Sequence, residues 1–329
     1  MLFPRQKPLA ILPFAEDLRF KKAFFRPPTR NADGRFFSRR TIIRHGEWET
    51  ARAKPCTVEM VHVETANDVS RIQNRMEVLT KFQQPLGNYT PGIVNLIDAY
   101  KIIGEGGIIV EPIGKMKAIY ILQEGGETFD TVDWKTNGYN EKGFRIKLAL
   151  HLLHGLACLH QEGWSHHGIG PENLVLINHN NDSRAVLSDF SNAKFDQQKN
   201  KDLLDSPAYL PPEVITGNLD TLSQKSDVWQ LGISLVGCWY PAVFRNPLLA
   251  AVTLSPSDPQ DFAQIYRSFS QYSRYGDEIA VLLSAMIVKE PEARISAKDA
   301  LGRSIFDPVR KTIAWNRKTP EKAAGEEQR

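Results

Sequence analysis

The stretch from Leu153 to Glu213 constrains this chain more than any other. It contains HGLACLHQEGWSHHGIGPENLVLI, then VLSDFSNAK, then SPAYLPPE. Phe144 to His160 is expected to form a long helix leading into it. The helix carries His151, His154 and His160, with the first two at i, i+3. No Cys or acid completes a set at ligand spacing, so these are read as surface and capping histidines rather than a metal site. Two other segments have clear periodicity. Val69, Ile72, Met76 and Leu79 recur at 3/4 spacing and predict a helix over Asp68 to Phe82. Cys56 to Val63 alternates as a strand does.

With 329 residues, 42% of them apolar, the chain can bury one large core, or the core of a two-lobed domain with extensions. The net charge of +3 is too small to argue for nucleic acid alone, but its distribution is uneven. Residues 1–40 form a basic arm whose acids are only Glu16, Asp17 and Asp33, interleaved with Phe3, Phe14, Phe20, Phe24, Phe25 and others. That many aromatics argues for packing on the body or on a partner, and the basic charge for contact with phosphate or an acidic surface. Cys56, Cys158 and Cys238 are few, odd in number and widely spaced, which argues against a disulfide framework. No apolar run is long enough to span a bilayer. Leu9 to Phe14, broken by Pro13, does not read as a secretory signal; an Arg-rich transit peptide is the competing reading, opposed by Glu16 and Asp17. An intracellular protein, cytoplasmic or nuclear, is expected.

In order and interval, the 153–213 stretch resembles the core of the eukaryotic protein kinases. That core is a helix ending in Leu-His, a catalytic loop HRDLKPEN, a metal-binding DFG and an activation segment closing on APE. The loop corresponds to His166-His167-Gly168-Ile169-Gly170-Pro171-Glu172-Asn173. Asp189-Phe190-Ser191 stands for DFG and Pro211-Pro212-Glu213 for APE. Downstream, Ser226-Asp227-Val228-Trp229 resembles the family's SDVW, and Arg294 the arginine that meets the APE glutamate. Pro171 and Ser206-Pro207-Ala208-Tyr209 look more like the Ser/Thr branch than the Tyr branch. The resemblance covers about Thr41 to Val309. It implies an α+β, bilobal fold: a small β-rich N-lobe with one main helix over 41–123 and a larger helical C-lobe over 124–310. The basic aromatic arm occupies 1–40 and a tail 311–329.

The residues that brace such a fold are present: His166, Phe190, Glu213, Asp227, Trp229 and Arg294. Those that do its chemistry are largely replaced. The catalytic base position is Gly168 and the adjacent lysine position Gly170. The strand-3 lysine falls on Val61 or His62. The helix glutamate falls on Glu77 or Arg75; the second register is preferred because it buries Leu79 rather than Lys81. An Arg there could answer an acid such as Asp189. The glycine-rich phosphate loop aligns best with Arg44 to Glu49, which keeps Gly46 and brings the carboxylate of Glu49 towards any triphosphate. Only the two metal ligands remain, Asn173 and Asp189, and loop hydrogen bonding without metal competes for them. Ser191 replaces the permissive glycine and narrows the backbone there.

The resemblance therefore implies a pseudokinase, a scaffold or allosteric module that binds a protein partner such as an active kinase or other enzyme, with no cofactor expected. The alternative is an atypical nucleotide-dependent Ser/Thr kinase-like transferase of weak activity, using ATP and Mg, with His167 or another acid as base.

Overall fold

The computed structural model describes residues 18–19, 24–26, 35–38, 41–48, 54–62, 66–82, 92–103, 116–135, 138–139, 141–179, 182–195, 209–215, 221–240 and 277–310. The chain divides into two compact units, Met1–Asp68 with Leu96–Gly126, and Val69–Asn95 with Glu127–Arg329.

The first unit is an antiparallel sheet. Its strands are β1 (Leu18–Arg19), β2 (Phe24–Arg26), β3 (Arg35–Ser38), β4 (Thr41–Trp48), β5 (Lys54–His62), β6 (Leu96–Ile103) and β7 (Met116–Glu124). They lie in the order β1-β2-β4-β5-β7-β6, with β3 also paired to β4. Cys56 on β5 and Ile121 on β7 are buried. The boundary expected at residue 40 is not a structural one. β1, β2 and β3 lie inside the supposed arm and join the sheet, β2 through Phe25 opposite Trp48 and β3 through Phe36 opposite Ile42. Aromatics suit a strand, and Phe24, Phe25, Phe36 and Phe37 stand in β2 and β3.

The second unit is mainly helical. Its elements are α1 (Ala66–Lys81, assigned to it from Val69), β8 (Glu127–Thr128), α2 (Lys142–Gln161), β9 (Trp164–Ser165), β10 (Leu174–His179), β11 (Asp182–Leu187), β12 (Lys194–Phe195), α3 (Pro212–Ile215), α4 (Gln224–Trp239), α5 (Asp277–Met286), α6 (Ala297–Leu301) and α7 (Asp307–Arg310). β11, β10 and β8 form one small antiparallel sheet, and β12 pairs with β9. Helix α2 is buried nearly all round, through Leu148, Leu152, Leu153, Leu156 and Leu159 among others. Such a helix belongs in the middle of a large core, and α2 packs on β11, β9 and α6. One close approach requires glycine on both sides. Gly92, at φ +80°, lies against α2 at Gly155, and a Cβ on either residue would overlap the other's backbone or that of His151. From there the chain enters the core by a backbone pairing, Val94 N–H donating to Leu187 O (3.0 Å) and Leu187 N–H to Gly92 O (2.8 Å).

From Val69 onward helix α1 groups with the second unit. Its buried face runs through Asp68, Ile72, Arg75, Val78, Leu79 and Phe82. The expected stripe is therefore rotated, with Val69 and Met76 on its flank and Arg75, 1% exposed, at its centre. The polar contacts of Arg75 and of Asn74, described below, are with the second unit.

Candidate functional site

The loop after α2 is built on one carboxylate. Asp227, in the first turn of α4, is fully buried. The helix start is fixed by a capping box: Ser223 Oγ accepts from Lys225 N–H, and Ser226 Oγ accepts from Ser223 N–H. Asp227 Oδ2 then accepts from His166 N–H (2.7 Å) and Oδ1 from His167 N–H (2.8 Å). His160 Nε2 lies 2.9 Å from Oδ2. Burial alone would raise the Asp227 pKa; the hydrogen bond from His160 and the nearby imidazoles hold it below the ordinary carboxylate value. One turn along, Gln230 Oε1 accepts from Ile169 N–H (3.3 Å), so α4 supports the loop at three successive points.

His166 Nε2 lies 3.0 Å from Ser188 O, an acceptor only, so that nitrogen carries the proton. Its ring packs on Phe190 at 4.8 Å between centroids. His167 has φ +59°, is 3% exposed, and neither ring nitrogen finds a hydrogen-bond partner among the described residues. Burial lowers the pKa of both histidines, against the pull of Asp227, and keeps them neutral.

Gly168 and Gly170 leave their places in the loop to neighbours. A Cβ on Gly168 would lie 3.0 Å from Asn192 Nδ2, and one on Gly170 2.5 Å from Glu172 Oε1. The Glu172 carboxylate thus lies where a side chain at 170 would begin. Asn173, at the end of a 3₁₀ turn over Pro171–Asn173, donates from Nδ2 to Gly168 O (2.8 Å).

Asp189 sits at φ +55°, the left-handed region that Asp tolerates better than most residues, and caps a 3₁₀ turn over Phe190–Asn192. Its Oδ1 accepts from Ser191 Oγ (2.5 Å) and, more weakly, from Ser191 N–H (3.3 Å). Arg75 Nη1 lies 3.4 Å from the same oxygen. Burial would raise the Asp189 pKa, but the Arg75 guanidinium and the Ser191 hydroxyl hold it low. The neighbouring Asn74 donates from Nδ2 to Ala193 O (3.1 Å). Asn173 and Asp189, the residues that the resemblance gives to a divalent cation, thus have internal partners. A cation on Asp189 Oδ1 would face a guanidinium a few ångströms away, a repulsion on the order of kcal/mol per charge even in a high effective dielectric, whereas Asn173 commits only its Nδ2 and the Asp189 side chain is 39% exposed.

The last part of the frame lies beneath. Glu213 on α3 meets Arg294 in a two-bond fork, Nη1 to Oε1 and Nη2 to Oε2, both 2.9 Å. Arg294 also donates to Val288 O (2.9 Å), Lys225 O (2.7 Å) and Lys289 O (3.2 Å), and stands 5.1 Å from the ring centroid of the buried Trp229. Ser226 Oγ donates to Glu213 Oε1 (3.1 Å), which links this pair to the capping box under Asp227.

The structure thus brings His166, Phe190, Asp227, Gly168, Gly170, Asn173, Asp189 and Arg75 into one continuous set of contacts, with Trp229, Glu213 and Arg294 under it. His62 ends β5, opposite Ala118. The loop reading of Arg44 to Glu49 is corrected. Residues 44–48 are strand, with Gly46 opposite Cys56 in the β4–β5 ladder, so they are extended and paired rather than curled around a phosphate. Glu49 lies outside the described residues. Sequence reasoning missed the partners: His160 and Gln230 on the loop, Asn74 on Ala193, Glu172 over Gly170. Ser191 carried a readable signal, since a hydroxyl two residues after an Asp can bond to it locally. Among the described residues no group of three or more His, Cys, Asp or Glu could hold a metal ion, and no helix is long and apolar enough to cross a membrane.

A family model described as the protein kinase domain matches residues 49–306. Calcium/calmodulin-dependent protein kinase type 1 of Macrobrachium nipponense is 27% identical over 239 residues, 70% of this chain and 61% of that protein. Its counterpart in Caenorhabditis elegans is 27% identical over 241 residues, covering 70% and 60%. A DNA damage response protein kinase of Saccharomyces cerevisiae is 28% identical over 243 residues, covering 67% and 44%. The chain therefore spans between about two fifths and three fifths of the length of these relatives.

Proposed function

The chain belongs to the protein kinase domain family, and from that premise we propose that it is a catalytically inactive member that works by binding a protein partner. The observation that carries the reading is Gly168. The loop position that gives the family its base holds no side chain, and the Asn192 amide lies 3.0 Å from where a Cβ would begin. Gly170 removes the neighbouring cation in the same way.

Phosphoryl transfer depends on positioned charge rather than covalent help from the protein. Losing a general base costs about 10²–10⁴ in rate, and losing a phosphate-holding charge a comparable factor. Such losses do not simply add, but two or three would bring a kinase of about 1–100 s⁻¹ to near background. What is kept, from Asp227 to the Glu213–Arg294 fork, holds shape. A frame maintained without its chemistry is suited to presenting a surface, and that supports the role of scaffold or allosteric partner.

One observation favours a second reading, a weak transferase. The His167 ring, its pKa lowered by burial, stands next to position 168, and neither of its nitrogens has a hydrogen-bond partner among the described residues. Its 3% exposure opposes it, since a base must reach the proton it takes. A sensitive transfer assay with Mg and labelled ATP on broad Ser/Thr peptide mixtures separates the two. No transfer above the Asp189→Asn variant is expected; transfer lost in both Asp189→Asn and His167→Ala would establish the second reading.

A further inference from the structure

We propose that Arg75 is the built-in cation of this site, locking the 189–193 segment onto helix α1 with no need of a divalent ion. The inference rests on the inactive reading above and adds to it how the site holds its shape.

Arg75 stands at the centre of the buried face of α1, between Ile72 and Leu79, and is 1% exposed. A charge so placed needs anionic partners, and Asp189, with its side chain 39% exposed, is one of them at 3.4 Å. Asp189 in turn holds a left-handed backbone conformation, which for a residue with a side chain persists when the surroundings fix it. Arg75 and Ser191 both bind the same oxygen, Oδ1. The far end of the segment is held by the adjacent helix residue, Asn74 to Ala193 O. Two consecutive residues of one helix therefore grip both ends of a five-residue turn. The Ser191 hydroxyl closes the turn on itself, where a residue without a side chain would leave it free to swing. Positive charge at Asp189 comes from the chain itself, so the conformation does not wait on a ligand.

The test is hydrogen exchange read by mass spectrometry on the full chain, with EDTA or with millimolar magnesium or manganese. Peptides over 189–195 and α1 in the wild type should exchange alike in all three conditions. Arg75→Gln should speed exchange over 189–195 roughly tenfold or more while leaving α4 unchanged, and Arg75→Lys, which keeps the charge, should stay close to wild type. Acceleration shared equally by α4 overturns the proposal, because it reports general unfolding, and so does an Arg75→Gln profile identical to wild type. If Arg75→Gln does not fold, manganese relaxation of the wild type decides. A bound-ion signal removed by Asp189→Asn overturns the proposal, and its absence supports it. Manganese binding without phosphoryl transfer would sink the lock alone and leave the inactive reading standing; transfer would sink that reading.

Discussion

Asp227→Asn perturbs the carboxylate that holds the loop backbone at His166 and His167. The change is nearly isosteric, and its cost can be worked from the contacts. Oδ2 accepts from His166 N–H at 2.7 Å and faces His160 Nε2 at 2.9 Å; Oδ1 accepts from His167 N–H at 2.8 Å. The better amide orientation keeps oxygen on the first two and turns NH₂ against the third. One hydrogen bond to a charged acceptor is then lost, about 1.5–3 kcal/mol, and a buried N–H is left unmet, about 1–3 kcal/mol. The sum, about 2.5–6 kcal/mol, is a large part of the 5–15 kcal/mol typical of a domain and brackets the about 3–5 kcal/mol cost of breaking a buried charged contact. Urea unfolding followed by tryptophan fluorescence measures it, because Trp164, Trp229 and Trp239 are buried near the loop and α4. The midpoint should fall with little change of slope. A loss below about 1 kcal/mol would refute the reasoning, since it would mean that the loop is held by something other than this carboxylate.

Arg294→Met should cost about 3–5 kcal/mol by leaving Glu213 uncompensated; Glu213→Gln, which can still accept from the guanidinium, should cost less, and a double-mutant cycle in urea should show coupling. Gly155→Ala should destabilise by about 1–3 kcal/mol through overlap with Gly92, whereas Gly143→Ala, with nothing within 4 Å of the added carbon, should be neutral or gain a few tenths of a kcal/mol; thermal melts distinguish them. Acid should destabilise the fold in two stages. His166 and His167 have folded pKa values below the unfolded one of about 6.5, so the unfolded state takes up more protons and stability falls as pH drops through that value, by up to about 1.4 kcal/mol per pH unit for each. Asp227, with a depressed folded pKa, contributes stability above the unfolded Asp value near 3.9 and loses it as pH falls below that, through the folded pKa. Urea midpoints from pH 8 to 4 check the sign; stability rising on acidification through pH 6 would contradict it.

The helical half of the molecule was the more legible because its signals are local. Glu213, Asp227, Trp229 and Arg294 stand in short motifs of the resembling family, and the structure places Asp227 on the loop backbone and Arg294 on Glu213. Arg75 was reached by asking which register of α1 buries Leu79 rather than Lys81, a question of burial cost that the periodic stripe could pose but not finish. Ile72 and Leu79 of the expected stripe are buried while Val69 and Met76 are half-buried, because a pattern that counts apolar residues cannot see that a paired Arg belongs on the inner face. The sheet was harder. β1 is two residues long and β2 three, too short for alternation to show, and the pairing of β1 with β2 and of β2 with β4 is a tertiary fact. Gly46 aligns best with the glycine-rich phosphate loop of the resembling family, although here it stands in a strand. Side chains that fill space left by a missing one, Glu172 over Gly170 and Asn192 beside Gly168, leave no trace in sequence.

The account stands or falls on whether this chain grips nucleotide. Thermal unfolding with and without millimolar Mg-ATP measures that directly, since a ligand at a hundred times its Kd adds about 2.7 kcal/mol to the folded state. The predicted result is an unchanged melting temperature. An upward shift of several degrees that disappears in Asp189→Asn would contradict the account.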